Sequence, residues 1–153
     1  MHDNTGIRLL EALTAADASL LVTVGDEVVF ARRQQGIAPL LEAVKTLPQS
    51  ILQDASVADA VVGKAGALLL AHVQVRFVAA RIASDAAEEA LRTHGIPFYA
   101  DLSVKMISGR RPGQPCPFEQ AVRDVDDPSE AVVILSDTAR RLAHGRHGGP
   151  TDG

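Results

Sequence analysis

The sequence has almost no cysteine, since Cys116 is the one such residue among 153. A disulfide framework is therefore excluded, and the five histidines have no cysteine neighbours with which to form a zinc-binding motif. A chain of this length buries roughly two-thirds of the surface that its unfolded form exposes, so it can fold without covalent or metal cross-links. We expect one compact domain without a bound metal or cofactor.

Positive charge and long apolar runs are also scarce. Fifteen lysines and arginines stand against nineteen acidic residues, a net charge of −4, whereas a surface that tracks nucleic-acid phosphates needs an excess of basic residues. The longest apolar stretch, residues 65–71, is far shorter than the ~20 residues that cross a bilayer. The polar start, Met1 to Asn4, lacks the basic and apolar regions of a secretory signal. These absences predict a cytoplasmic protein that binds neither nucleic acid nor membranes.

Hydrophobic periodicity in the first third of the chain predicts two helices separated by a hairpin. Apolar residues at helical spacing predict an amphipathic N-terminal helix within residues 1–18. Two β-branched runs flank the turn Gly25-Asp26 and predict a β-hairpin. Helical spacing returns over residues 37–44 and is expected to end before Pro48.

The middle of the chain predicts an α/β fold. Residues 57–72 are apolar on nearly all sides, which is typical of a buried helix, and Ser56 is in position to be its N-cap. A strand at 77–82, a helix at 85–94 and a strand at 96–102 follow, and a helix between two strands is the crossover that parallel pairing requires. We therefore predict a three-layer α/β/α sandwich around a mixed sheet.

The last third of the chain predicts a loop, two helices and a tail. Residues 108–115 are a loop by composition, and Pro117 can occupy the first position of a short helix. The last helix is expected at about residues 128–142. Residues 143–153 are rich in Gly, His and Pro and are expected to form a disordered tail. The α/β domain is thus predicted to span residues 19–142.

The segment 56–70, Ser-Val-Ala-Asp-Ala-Val-Val-Gly-Lys-Ala-Gly-Ala-Leu-Leu-Leu, resembles the signature of the family catalogued as domain of unknown function 1893. Three further segments agree with this resemblance. Residues 19–41 resemble the family's hairpin and the helix start after it, Gly95-Ile96 resembles the end of its next helix, and residues 115–122 resemble its Cys-Pro-x-Glu motif. The resemblance runs from about residue 19 to residue 142 and implies a cytidine-deaminase-like fold, which agrees with the predicted order of elements.

The deaminase reaction does not follow from this resemblance. Zinc deaminases hold the metal with a His or Cys at the start of one helix and a Pro-Cys-x-x-Cys pair at the start of another, with a Glu as proton shuttle. Here the first position offers Gly63-Lys64-Ala65, and the second keeps Cys116 but has Glu119 in place of the second cysteine. This set lacks the three ligands of a catalytic zinc site. We predict no metal and no zinc-dependent deamination.

The candidate ligand pocket consists of Asp59, Gly63, Lys64, Cys116 and Glu119. Lys64 is the most unusual of these, because an ammonium on an apolar helix must pair, reach the surface or lose its charge; a ligand contact and a structural anchor both fit. Cys116 has either an activated thiol at a helix start or an inert buried one, and Asp59 is either a pocket residue or a charge at a helix N-terminus. We expect Lys64, Cys116 and Glu119 to converge, with the lysine ammonium beside the Glu119 carboxylate.

Two basic pairs in predicted loops supply further candidates. Arg33 and Arg110 are candidate anion contacts, with solvated side chains as the alternative. By analogy of fold alone, the predicted function is to bind a small anionic or nucleotide-like ligand. The alternative is a non-catalytic structural or protein-interaction module, a homo-oligomer for instance, with a vestigial pocket. The sequence fits an enzyme and a non-catalytic protein equally.

Overall fold

The computed structural model describes residues 2–109 and 113–152, with side chains from 3 to 109 and from 113 to 144. The strands are β1 (Leu20–Val24), β2 (Glu27–Arg32), β3 (Ser56–Val62), β4 (Phe77–Ser84) and β5 (Phe98–Val104). The helices are α1 (His2–Ala15), α2 (Ala38–Thr46), α3 (Gln49–Gln53), α4 (Lys64–Val73), α5 (Asp85–Thr93), α6 (Pro117–Ala121) and α7 (Pro128–Asp152). The predicted α/β class is confirmed.

The five strands form one mixed sheet in the order β2-β1-β3-β4-β5. β1 runs antiparallel to both β2 and β3, whereas β3, β4 and β5 are parallel to one another. The turn between β1 and β2 places Gly25 at a φ of +60°, a left-handed conformation that glycine adopts without steric cost. The hairpin and the mixed sheet are therefore as predicted.

Helices cover both faces of this sheet. One row across the sheet, Leu21, Ala58 and Ala79, packs in a cluster with Leu10 and Leu13 of α1. The neighbouring row, Val22, Val57 and Val78, belongs to the larger cluster that contains the leucines of α4. Because adjacent residues of a strand point to opposite faces, α1 forms one outer layer and the helices around α4 form the other.

Helix α4 is the centre of the larger layer. Eight of its ten residues are buried, and it contacts β3, α2, α3, α5, α6 and α7. A helix that is apolar on all sides is expected to be enclosed. The prediction of a buried helix is thus confirmed for residues 64–73.

The prediction of a helix over residues 57–72 is wrong for its first half. Residues 56–62 form β3, which pairs with β1 on one side and β4 on the other. A strand covered on both faces carries a continuous apolar run instead of an alternating one, and periodicity alone does not separate such a run from a buried helix. Gly63 then adopts an extended conformation, with φ −98° and ψ −176°, and α4 begins one residue later.

The presence of a strand in place of a helix changes the interpretation of three residues. Ser56 is in a strand and caps no helix, and Asp59 lies in the middle of β3 and not at a helix start. Lys64 is the first residue of α4, so its ammonium does not lie in the middle of an apolar helix.

The C-terminal helix starts as predicted and continues further. A carboxylate oxygen of Asp127 accepts a hydrogen bond from the Glu130 N–H at 3.1 Å, which caps α7 ahead of Pro128. The helical backbone continues past the predicted end at Leu142 to Asp152. The side chains of residues 145–153 lie outside the described part, so the disordered tail stays a prediction. None of the described helices combines the length and the apolar character that a membrane span needs.

Candidate functional site

The carboxyl ends of the three parallel strands meet at one edge of the sheet. Val62 of β3 pairs with Ala83 of β4, and Ser84 of β4 pairs with Val104 of β5. Helices α4 and α5 start directly after β3 and β4 at this edge. In open α/β sheets, ligands bind in the crevice outside the carboxyl ends of the strands. This edge therefore has the position of a ligand site.

An open cleft of about 650 Å³ lies at this edge. It is bordered by α4, α5, the residues that follow β5 and the α6 segment, by which we mean residues 115–126. Its apolar lining comes from Leu68, Ala86, Ala90, Met106, Ile107 and Pro115. Its ionisable lining comes from Lys64, Glu89, His94, Lys105, Cys116, Glu119, Arg123 and Asp126.

The carboxylate of Glu119 is bound to the first turn of α4. Its two oxygens accept hydrogen bonds from the backbone N–H groups of Lys64 and Ala65, both at 2.8 Å. The first N–H groups of a helix have no acceptor within the helix, and a negative charge there is favoured by the helix dipole. Glu119 therefore caps a helix other than its own and ties the α6 segment to α4.

Gly63 makes room for this carboxylate. A Cβ atom at position 63 would lie 2.5 Å from the carboxyl carbon of Glu119. The backbone of Gly63 is extended, at φ −98°, so any residue could adopt it. Glycine is needed here for its missing side chain and not for its conformational freedom.

Lys64 makes a second attachment between α4 and the α6 segment. Its ammonium Nζ donates to the backbone carbonyl oxygen of Arg123 at 2.9 Å and lies 3.3 Å from a carboxylate oxygen of Asp126. The Lys64 side chain is only 15% exposed, whereas that of Asp126 is 95% exposed. The expected contact between the ammonium and the Glu119 carboxylate is therefore wrong, because the Lys64 backbone N–H occupies that carboxylate.

Residues 8–139 match the family described as domain of unknown function (DUF1893). The chain belongs to the DUF1893 family. It is similar to the crystal structure of the DUF1893 family protein TM1506 from Thermotoga maritima, with a TM-score of 0.80 and 28% identity over 90% of this chain and 91% of that chain. No curated protein matches the sequence. Membership in DUF1893 confirms the family resemblance and assigns no activity.

Three of the five candidate pocket residues of this DUF1893 chain line one cleft. Lys64, Cys116 and Glu119 do so, although more than fifty residues separate the lysine from the glutamate. Cys116 precedes α6 and is partly exposed. Gly63 contacts Glu119 without being part of the cleft lining. The predicted convergence of Lys64, Cys116 and Glu119 is confirmed in geometry.

Of the two candidate anion contacts, Arg33 does not join this cleft. Arg33 pairs with Asp17 at 2.9 Å, and both side chains are mostly exposed, at 78% and 81%. Arg33 is not among the residues that line the cleft. Arg110 lies outside the described residues.

Sequence reasoning missed two cations of the cleft, Lys105 and Arg123. Lys105 directly follows β5, and the position after a parallel strand is the signal that could have identified it. Arg123 lies in the irregular stretch between α6 and α7, for which the sequence offers no comparable signal. Neither cation forms an ion pair with any residue that the structure describes.

Asp59 is absent from the cleft lining, so its assignment to the pocket is wrong. It lies in β3 opposite Leu20 of β1 and Ala80 of β4, in the middle of the sheet. Burial raises the pKa of the Asp59 carboxyl from 3.8 to about 8, although the backbone N–H groups of Val61 and Ala60 act in the opposite direction. A raised pKa of this kind predicts that Asp59 makes the free energy of unfolding depend on pH.

Replacing Asp59 with Asn should remove the decrease in the free energy of unfolding that wild type shows as the pH rises. Between about pH 4 and pH 8 the unfolded chain has released the Asp59 proton and the folded chain still holds it, so the free energy of unfolding falls as pH rises and levels off above the folded pKa of about 8. Asp59→Asn should be more stable than wild type at pH 8 by on the order of a few kcal/mol. Denaturant unfolding across this pH range measures the difference.

Asp54→Asn is the matched control, because Asp54 is exposed at the end of α3. The free energy of unfolding of Asp54→Asn should vary with pH as that of wild type does. An Asp59→Asn profile parallel to that of wild type would contradict the assignment of this pH dependence to Asp59.

Gly63→Ala should destabilise the fold by displacing the Glu119 carboxylate. The loss of two charge-assisted hydrogen bonds predicts a cost of about 1–3 kcal/mol. In a Glu119→Ala background the added methyl group meets no carboxylate, so the same substitution should cost little. Denaturant unfolding of the two single variants and the double variant measures this coupling, and strictly additive effects would show that Gly63 and Glu119 do not depend on each other.

Proposed function

We propose that this DUF1893 chain binds a small anionic ligand, nucleotide-like in size and polarity, in the cleft beside α5 and the α6 segment. The observation that supports this most is the presence of Lys105 and Arg123, two cations without an ion-pair partner among the described residues, in a cleft at the carboxyl ends of parallel strands. The volume of about 650 Å³ falls within the range of small-molecule pockets.

The two unpaired cations of the cleft, and not its net charge, favour an anion. Lys64 is paired with Asp126, and the Glu119 carboxylate is bound by α4. The three cations of the lining equal its three carboxylates in number. Lys105 and Arg123 are the cations without an ion-pair partner among the described residues, and such cations match a phosphate or carboxylate. The apolar lining offers a surface for the less polar part of the ligand.

The cytidine-deaminase-like fold belongs to the same proposal. It is supported by the meeting of two helix starts, that of α4 at Lys64 and that of α6 after Cys116, which is where zinc deaminases place their metal ligands. In this chain the Glu119 carboxylate binds backbone N–H groups in that position. No group of three or more His, Cys, Asp or Glu side chains suited to a metal ion occurs among the described residues. We propose a site that does not use zinc.

One observation favours the alternative, a non-catalytic module with a vestigial pocket. A free helix N-terminus attracts anions, and in α4 the Glu119 carboxylate already accepts from the N–H groups of Lys64 and Ala65. A ligand would have to bind through side chains instead. A cytoplasmic location and the absence of nucleic-acid binding stay predictions from composition.

Anions should raise the melting temperature of the protein if the cleft binds them. The probes are inorganic phosphate, pyrophosphate, AMP and citrate. At about 100 times its Kd, a ligand that binds only the folded state should raise Tm by about 5 °C or more. Arg123→Gln should remove most of this shift, because it deletes one of the two free cations and keeps the backbone carbonyl that Lys64 binds.

Arg8→Gln is the control for this measurement, since Arg8 is an exposed arginine of α1 outside the cleft lining. It should keep the full shift. If none of the four probes shifts the wild-type Tm, the anion site is refuted and the vestigial module is favoured.

The purified protein should contain no stoichiometric zinc and should not deaminate cytidine, adenosine or guanine. The reason is the donor set, because Gly63, Lys64 and Ala65 provide no metal ligand at the start of α4. Elemental analysis after chelation and an ammonia-release assay measure the two properties. About one zinc per chain that survives chelation would contradict the prediction.

A further inference from the structure

The α6 segment is held in place by three apolar side chains and by a set of polar contacts. Helix α6 has five residues and none of them is buried. Val122 is fully buried, and Phe118 and Val125 are partly buried against the same core. To these apolar contacts are added the two hydrogen bonds of Glu119 and the two contacts of the Lys64 ammonium. Because only Val122 of this segment is fully buried, the segment should open locally at lower cost than the core, and loss of the polar contacts should make that opening easier.

Lys64 binds the backbone of Arg123, the residue of the α6 segment on which the proposed site depends most. Its ammonium donates to the backbone carbonyl of Arg123 at 2.9 Å, and Arg123 is itself a lining residue of the cleft. The Lys64 ammonium already contacts that carbonyl and Asp126. It therefore has less capacity to bind a ligand directly. Its enclosed stem, with the side chain 15% exposed, fixes the ammonium in one position.

We infer that Lys64 is a positioning residue, which sets the geometry of the cleft by holding the backbone at Arg123 and does not itself contact the ligand. This inference rests on the proposed function where it concerns ligand affinity. Its statement about the α6 segment concerns the free protein and stands without a ligand. Glu119 also holds the α6 segment in place, because its carboxylate fixes α6 against the start of α4.

Hydrogen exchange of the ligand-free protein tests the positioning role. The reporters are the amides of Gln120, Arg123 and Val125, which donate to backbone carbonyls within the segment. Lys64→Met keeps the stem and removes the charge, so it should raise exchange at these amides about tenfold while α5 and β5 exchange as in wild type. Lys64→Arg restores a donor and should return exchange towards the wild-type rate, and Arg123→Gln should leave it unchanged.

Two results in this experiment would overturn the inference. Unchanged exchange in Lys64→Met would mean that the ammonium does not hold the segment. Exchange raised equally across the whole chain would mean that Lys64 only adds general stability. Neither result depends on a ligand, so failure of the proposed anion site and failure of the positioning role are told apart.

A double-mutant cycle with AMP separates positioning from direct contact. If Lys64 acts through Arg123, Lys64→Met should weaken AMP binding about tenfold in the wild-type background and change it little when Arg123→Gln is present. Equal losses in both backgrounds would show that Lys64 binds AMP directly and would overturn the inference. If wild type does not bind AMP, the probe that gave the largest Tm shift replaces it; if no probe binds, the proposed function fails and the exchange experiment alone decides the role of Lys64.

Discussion

The burial of α4 on every side constrains the rest of this structure. The helix lies between the sheet and a shell formed by α2, α3, α5, α6 and α7, and its small and branched apolar residues fill the space between them. Burial excludes water from most of the helix, so its polar ends need protein partners, because an unsatisfied backbone group in an enclosed place is costly. The surrounding elements must therefore supply an acceptor at the N-terminus as well as an apolar surface along the sides.

Glu119 is that acceptor, and its position has consequences for the cleft. Its carboxylate holds a short helix of its own against the start of α4, and the absence of a side chain at Gly63 gives it space. An anion site that many α/β proteins leave open at a helix N-terminus is here filled from within the chain. What remains for a ligand is a cleft whose charge comes from side chains, above all Lys105 and Arg123.

The similarity to TM1506 bears on the fold and not on the chemistry. A TM-score of 0.80 at 28% identity shows that the arrangement of the elements is retained while most side chains differ. The same fold can host unrelated functions, and function has to be argued from the site. In this chain the cleft is distinguished by which of its charges are already paired and which have no ion-pair partner among the described residues.

Much of the architecture could be predicted from the sequence because it depends on local patterns. The hairpin around Gly25, the helix-strand alternation from β4 to β5 and the start of α7 at Pro128 follow from turn chemistry, capping and periodicity. The meeting of Lys64, Cys116 and Glu119 was predictable through the family resemblance. The boundary between β3 and α4 was not, because a strand buried on both faces and a buried helix have the same apolar composition, and only pairing with β1 and β4 distinguishes them.

The partners of the charged groups were decided by tertiary structure alone. The sequence determined that Lys64 needs a partner, but not that the ammonium would bind the Arg123 carbonyl and Asp126 while Glu119 binds the backbone. It determined that Asp59 is acidic, but not that β3 would carry it into the middle of the sheet, where burial raises its pKa to about 8. Hydrogen bonds and desolvation act over a few ångströms, and residues far apart in the sequence come that close only when the fold has brought them together.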